Sequence, residues 1–429
     1  GWVITMVNRQ NVGKSEAQAA MPGQRMVPRI SIHGFCEDPA TGAALQKAGS
    51  DRRLAKAHIG VQLGGIAAAI EYYSGQVTPN LLIIETRLSG DAALAELDRL
   101  ANVCDPLTKV VVVGHTNDVP LYRALMQRGA SEYLLAPVDP LQLIDVIANL
   151  YVKPDAKPIG RVIAFIGARG GAGASSLAHN IGWCMAEELR IGTMLIDFDL
   201  AFGTVGLDFN DDPGQGVQDA LQAPERLDDV LLERLLTKHG TYLTLFTAPV
   251  LLDRELGGGI DAYEAVLDAA RRSSPCVILD LPSIWDEKIK ALLIGADDII
   301  VVTTPDLAAL RNAKNIVEYL RLNRPNDPLP QLVLNQVGMP KRPEIHVKDY
   351  SETIGYEPVQ TVPFDAQGFG VSANNGQMMA EMGQKGPAVD ALRAMAHRLC
   401  GRKVPEAPAT PVEVTSSKLK AFWKGIVQG

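Results

Sequence analysis

The chain has no uninterrupted run of about eighteen apolar residues, so a transmembrane helix is not expected. Cysteine is scarce: Cys36, Cys104, Cys184, Cys276 and Cys400 are odd in number, widely spaced and without a metal-ligand pair. That spacing argues against an iron–sulfur or zinc centre and reads as reduced thiols in a cytosol. Cationic excess is missing too. With 41 Lys and Arg against 49 Asp and Glu, the net charge of −8 disfavours a protein that coats DNA. A secretory leader is not expected, because residues 1–27 are polar and mixed and read as a flexible N-terminal segment.

What is present is a chain of 429 residues, 47% hydrophobic and 21% charged, which suits two or three soluble globular domains. Residues 151–160, with Pro154 and Pro158 between apolar runs, read as a linker. Beyond Arg402, Pro405, Pro408 and Pro411 give residues 403–429 an extended, mobile start. Between 28 and 150, the runs Ile30–Ile32, Leu81–Ile84, Val110–Val113 and Tyr133–Leu135 alternate with helical patterns. From 161 to 402 the same grammar returns in Val162–Ile166, Thr193–Ile196, Cys276–Leu279, Ile299–Val302 and Gln331–Leu334. Continuous β-branched runs separated by helices predict two doubly wound α/β domains with mainly parallel sheets.

After Ile166 comes Gly167-Ala168-Arg169-Gly170-Gly171-Ala172-Gly173-Ala174-Ser175-Ser176, and Leu177-Ala178-His179-Asn180-Ile181 then opens a helix. Glycines let backbone N–H groups converge on an anion at the positive end of a helix, so this order suits a phosphate cradle. A tight connection is the plain alternative for the loop taken alone. What the turn lacks is lysine.

The loop resembles the deviant Walker A of the MinD/ParA family, Lys-Gly-Gly-x-Gly-Lys-Thr/Ser. The resemblance puts Arg169 where the family's signature lysine crosses a nucleotide-sandwich dimer, and Ala174 where a second lysine meets the β- and γ-phosphates. Ser175 takes the Mg²⁺-coordinating hydroxyl position, and Gly170, Gly171, Ala172, Gly173 and Ser176 complete the expected contact with ATP or ADP. Leu195-Ile196-Asp197-Phe198-Asp199 is similar to the family's acidic strand end, which makes Asp197 and, more weakly, Asp199 the catalytic candidates. Asp280 matches the Walker B carboxylate that binds Mg²⁺ through water, and Thr303-Thr304-Pro305-Asp306 matches the segment after the next strand. Asn335 matches the adenine contact. Pro363 and Asp365, with Ser372–Gly376, match the closing nucleotide-side loop. Losing a charge-assisted phosphate contact costs about 1.5–3 kcal/mol and removes transition-state stabilisation, so hydrolysis is expected to be slow or absent. Binding can persist on backbone N–H groups, Mg²⁺ and Asn335, and Arg169 keeps a permanent cation.

The first domain resembles a response-regulator receiver, a flavodoxin-like fold. On that resemblance Glu85 stands at the phosphorylated Asp, His33 with Gly34 at the acidic pair, and Ala136 before Pro137 at the Lys. None can do the family's task, so a pseudo-receiver used for docking or dimerisation is expected.

The two domains together resemble the CpaE/TadZ family of tight-adherence (Flp) pilus assembly. That implies a cytoplasmic localisation factor, peripheral to the inner membrane and often polar. It also implies homodimerisation through the nucleotide-binding domain, and recruitment of the pilus secretion ATPase with other pilus assembly proteins. An active MinD-like positioning ATPase is the alternative; a DNA-tethered ParA-like role needs a basic surface. At the C-terminus, Leu419, Phe422, Trp423 and Ile426 share a helical face beside Lys418, Lys420 and Lys424, which suits a membrane surface, a partner groove or packing against the chain's own domain.

Overall fold

The computed structural model describes residues 22–403 apart from 212, 213, 250, 251 and 254. The predicted tail residues Leu419, Phe422, Trp423 and Ile426 lie outside the described residues.

Among the described residues the strands form two sheets. The first contains β1 (Ser31–Cys36), β2 (His58–Leu63), β3 (Leu81–Glu85), β4 (Lys109–Gly114) and β5 (Glu132–Leu135), all parallel, in the order β2-β1-β3-β4-β5. This is the doubly wound flavodoxin-like order, whose switch point lies between β1 and β3. The apolar runs are unbroken because helices cover both faces. Phe35, Leu82 and Ile84 pack on one side, whereas Ile32, Leu81 and Ile83 pack on the other.

The second sheet contains β6 (Arg161–Gly167), β7 (Thr193–Asp197), β8 (Thr237–His239), β9 (Leu243–Phe246), β10 (Cys276–Leu281), β11 (Asp298–Thr303), β12 (Gln331–Val337) and β13 (Gln360–Pro363). Their order is β13-β12-β11-β6-β10-β7-β9-β8, with only β8 antiparallel to its neighbour. The central strand β6 delivers the glycine turn to the carboxyl edge of the sheet, where ligands of open α/β sheets bind. No described helix is long and apolar enough to cross a membrane. The five cysteines are unpaired, with Cys36, Cys184 and Cys276 buried.

The stretch expected to be a flexible N-terminal segment is tied down where it is described. Val27 is buried and its N–H donates to the Arg53 carbonyl at 2.7 Å, while the Gln24 N–H reaches Asp297 Oδ1 at 2.8 Å. Gly23 N–H bonds to the Ile159 carbonyl at 2.9 Å, so this passage is stitched to the 151–160 stretch as well. Backbone groups at 22–27 thus find partners that a polar sequence alone does not reveal.

The two sheets are joined through charge. Arg52 donates to both oxygens of Asp327 at 3.0 and 3.1 Å, and Arg53 donates to Oδ1 at 2.8 Å. Arg324 Nη2 lies 3.4 Å from the same carboxylate, and Asn326 Nδ2 donates to Asp51 at 2.9 Å. All three arginines are nearly fully buried. Burial opposes ionisation of Asp327, but the hydrogen bonds from Arg52 and the surrounding guanidinium charges hold its carboxyl below the ordinary range. Burial, then the neighbouring Arg52 charge, push Arg324 down to about 10.

Removing one partner of a buried charge cluster strands the others. Asp327→Ala is therefore expected to lower stability by about 3–5 kcal/mol in chemical denaturation. A loss under about 1 kcal/mol, the scale of an exposed pair, would show that the cluster does not hold the two units together.

Candidate nucleotide-binding site

The turn after β6 keeps the backbone a phosphate cradle requires. Gly171 and Gly173 have φ of +80° and +90°, a region that side chains other than glycine avoid. At Gly173 a Cβ would also lie 2.4 Å from Asn335 Nδ2. The helix Ala174–Trp183 starts there without a side-chain cap, and its first internal bond runs from Leu177 N–H to the Gly173 carbonyl at 3.0 Å. The N–H groups of Gly173, Ala174, Ser175 and Ser176 therefore have no partner within the helix and suit an anion. Beside them is a cavity of about 250 Å³ lined by Gly173, Ser176, Asn335, Pro363, Asp365 and Phe369. Gly173, Ser176, Asn335, Pro363 and Asp365 are sequence candidates, whereas Gln336, Met339, Phe364, Ala366 and Phe369, which also line it, are not.

Their detailed roles differ from expectation in several places. Asn335 lines the cavity, but its amide also donates to the Ala172 carbonyl at 2.9 Å, and Gln336 Nε2 does the same for Gly171 at 2.9 Å. Both amides thus brace the turn from β12. Asp365 caps the helix Ala366–Asn375 by accepting from Gly368 N–H at 2.8 Å, so the expected closing loop at 372–376 is mostly helical. Gly170 and Gly171 are exposed, whereas Ala172 and Ala174 are buried. Arg169 is exposed and lies 3.3 Å from Asp306 of its own chain. Burial opposes ionisation of Asp306, yet hydrogen bonds from Thr304 and Ala309 and the Arg169 charge keep its carboxyl below the ordinary range.

Asp197 does not offer a free carboxylate. It is fully buried, with Oδ1 accepting from Asp199 N–H at 3.0 Å and Oδ2 from Val205 N–H at 3.2 Å, so it shapes the 197–205 loop from within. Burial, then the charge of Asp280, push its carboxyl up to about 8. Asp199 is half-buried and accepts from Phe202 N–H at 3.1 Å.

The residue that sequence reasoning missed is His179. Its ring is fully buried, with Nδ1 2.7 Å from Asp208 Oδ2 and Nε2 2.8 Å from Asp280 Oδ2. Ser175 Oγ donates to the other Asp280 oxygen at 3.0 Å. Burial alone would lower the imidazole; the bonds to Asp208 and Asp280 outweigh it and raise the group to about 10. The available signal was spacing, since Ser175 and His179 are one turn apart on the same helical face. Ser175 and Asp280 are brought together, as expected for a metal pair. Ser175 Oγ and the Asp280 carboxylate are oxygen donors of the kind Mg²⁺ takes, with the His179 ring against the other Asp280 oxygen.

The first sheet carries a second carboxylate constellation. Glu85 is fully buried and accepts from the N–H groups of Glu37 and Asp38 at 2.8 Å, from Thr41 Oγ1 at 2.8 Å and from His115 Nε2 at 2.9 Å. The acidic residues after β1 are Glu37 and Asp38, which corrects the expectation that His33 and Gly34 occupy that place. β1 runs on to Cys36, and His33 sits mid-strand with Nδ1 2.6 Å from Tyr73 Oη. Arg87 faces both acids, 3.8 Å from Glu37 and 3.5 Å from Asp38. Ala136 precedes Pro137 through a cis peptide bond.

No family model matches the chain. The parallel sheet with a glycine turn at its carboxyl edge defines a MinD/ParA-like P-loop architecture. In keeping with this, the septum site-determining protein MinD complexed with Mg-ADP from Pyrococcus horikoshii OT3 shares the fold at 15% identity and a TM-score of 0.50, over 56% of this chain and 96% of that one. The septum site-determining protein MinD of Bacillus subtilis is 26% identical over 262 residues, 58% of this chain and 91% of that protein. The pilus assembly protein CpaE from Caulobacter crescentus CB15 is 51% identical over 30% of this chain and 98% of that structure, with a TM-score of 0.30. On that identity the chain belongs to the CpaE pilus assembly family, within the MinD/ParA superfamily. It spans 60% of the length of the uncharacterized Mycobacterium tuberculosis proteins it matches.

The raised groups give stability a definite pH dependence. A group whose pKa is higher in the folded protein stabilises it fully below its unfolded value and loses that contribution as pH rises. For His179 the loss runs from 6.5 to about 10, and for Asp197 from 3.8 to about 8. The melting temperature is expected to fall through the alkaline range, and His179→Gln is expected to flatten the fall above pH of about 8. A wild-type profile that is flat or rising there would contradict the assignment.

Proposed function

We propose that this protein is a localisation factor for pilus assembly, a dimeric scaffold that binds ATP or ADP without depending on hydrolysis. It positions tight-adherence (Flp) pilus machinery at the cytoplasmic face of the inner membrane, at a pole, and recruits the secretion ATPase and other assembly proteins. The observation that carries this reading is the glycine turn: its main chain is arranged for an anion beside a cavity, while both lysine positions are held by Arg169 and Ala174. Binding atoms are present and the ammonium groups that stabilise charge in phosphoryl transfer are not. Asp197, engaged by two backbone N–H groups, is poorly disposed to act on a water.

The dimer is supported by apolar exposure on the edge that carries the turn. Phe202, Ile284, Trp285 and Leu307 follow β7, β10 and β11 at their carboxyl ends and are 71%, 54%, 43% and 75% exposed. Such side chains suit a face covered by a second copy. The first unit, 28–150, is assigned a pseudo-receiver docking role. Its Glu85 carboxylate already uses the donors that a phosphoryl group would need, which disfavours phosphorelay. The second unit is assigned to 161–402.

Calorimetric titration of the full chain with ADP and ATP, read with molecular mass in solution, tests the reading. One nucleotide per chain, a dimer and background phosphate release are expected. Gly173→Val should weaken binding by at least about tenfold, because the backbone is left-handed there and the new Cβ meets Asn335. Mg²⁺-dependent phosphate release that Asp199→Ala abolishes would replace the scaffold with an active positioning ATPase. Absence of binding would make the second unit structural.

A further inference from the structure

Consecutive side chains of a regular strand point to opposite faces. Asn335 and Gln336 are consecutive in β12, yet both amides reach the glycine turn, at the Ala172 and Gly171 carbonyls. Two features allow it. The register between β12 and β13 shifts between Leu334 and Val337, where Asn335 and Gln336 together stand opposite Val362. Gln336 also has a φ of +57°, a left-handed backbone that residues other than glycine seldom adopt. A bulge of this kind re-aims a side chain, and a residue held in so sparse a conformation needs surroundings that over-determine it.

Those surroundings are the 336–345 loop. Arg342 donates from Nη1 to Gln336 Oε1 at 3.4 Å, and from Nη2 to the Gln336 main-chain carbonyl and to Glu344 Oε1, the last at 2.7 Å. Glu344 in turn accepts from the N–H groups of Gly338 at 3.0 Å and Met339 at 3.1 Å. A guanidinium only donates, so it takes the oxygen end of the Gln336 amide and leaves the NH₂ end for Gly171.

A trans peptide points its C=O and its N–H in opposite directions. Side chains that hold the Gly171 and Ala172 carbonyls therefore turn the N–H groups of Ala172 and Gly173 the other way. Ala172 N–H closes the turn on the Arg169 carbonyl at 3.2 Å, and Gly173 N–H is the first of the donors left without a partner in the helix. Glycine at 170, 171 and 173 leaves this backbone many other conformations, and the turn contains no lysine to draw a phosphate in.

We propose that Gln336, held by Arg342, is a positioning residue of the phosphate cradle. It fixes the Gly171–Ala172 peptide before any ligand arrives, so that the main-chain N–H groups meet the phosphates of a nucleoside di- or triphosphate already aligned. The inference rests on the nucleotide reading of the turn. The left-handed backbone at Gln336 is the cost of that alignment.

Gln336→Gly separates positioning from ordinary structural support, because glycine accepts the left-handed backbone and only the side chain is lost. Its melting temperature is expected at or above that of the wild-type chain, while its ADP dissociation constant, measured by calorimetry on the full chain, rises at least about fivefold. A dissociation constant within about twofold of wild type overturns the proposal, and so does a loss of affinity accompanied by a lower melting temperature. Arg342→Met, at a residue outside the cavity lining, should weaken ADP binding in the same direction. Unchanged affinity in that variant beside weakened binding in Gln336→Gly would mean that Gln336 acts by touching the ligand, which also overturns the positioning role; if Arg342→Met does not fold, Gln336→Gly still decides. A wild-type chain that binds no ADP takes the nucleotide reading down and the positioning role with it, whereas wild-type binding that both variants match removes the positioning role alone.

Discussion

The second unit is organised round one carboxylate. Asp280 ends the strand beside β6, is almost fully buried, and has a donor on each oxygen from the helix that follows the glycine turn. An unpaired carboxylate at that depth would be costly, so the helix is anchored to the sheet wherever the turn goes. The turn in turn is braced from β12 by Asn335 and Gln336 and from the next helix by Asn312, whose Nδ2 donates to the Ala168 carbonyl at 2.9 Å. Its shape is therefore set by the surrounding protein as well as by its glycines.

The first unit repeats the principle with different parts. Glu85 ends β3 at the switch point, is buried, and is satisfied by two backbone N–H groups, a threonine and a histidine. Where a receiver has a reactive carboxylate beside a metal ion, this chain has a carboxyl group enclosed by hydrogen bonds, with Arg87 facing the acids outside. In both units a strand-end carboxylate is fixed internally by hydrogen bonds.

Most central strands were legible because burial on both faces leaves continuous β-branched runs, as in Val110–Val113 and Ile299–Val302. The strands that escaped reading lie toward the edges. His58–Leu63 mixes Gly60 and Gln62 into its run, and Thr237–His239 has three residues, one of them Lys238. The glycine turn, Ser175, Asp280 and the cavity residues Asn335, Pro363 and Asp365 were readable from motif order. His179 was not, since a histidine inside a helical pattern carries no mark of the carboxylates that meet it from Asp208 and Asp280. The β1 boundary was misread because Gly34 interrupts the run, and the true strand end puts Glu37 and Asp38 where acids belong.

The arginine cluster on Asp327 changes what the 151–160 connection does. A hinge transmits little force, but two bodies clasped by guanidinium groups through a second contact far along the chain turn together. Whatever moves the first unit thereby moves the second, and the carboxyl edge of the larger sheet keeps one orientation to the first unit rather than tumbling on a tether.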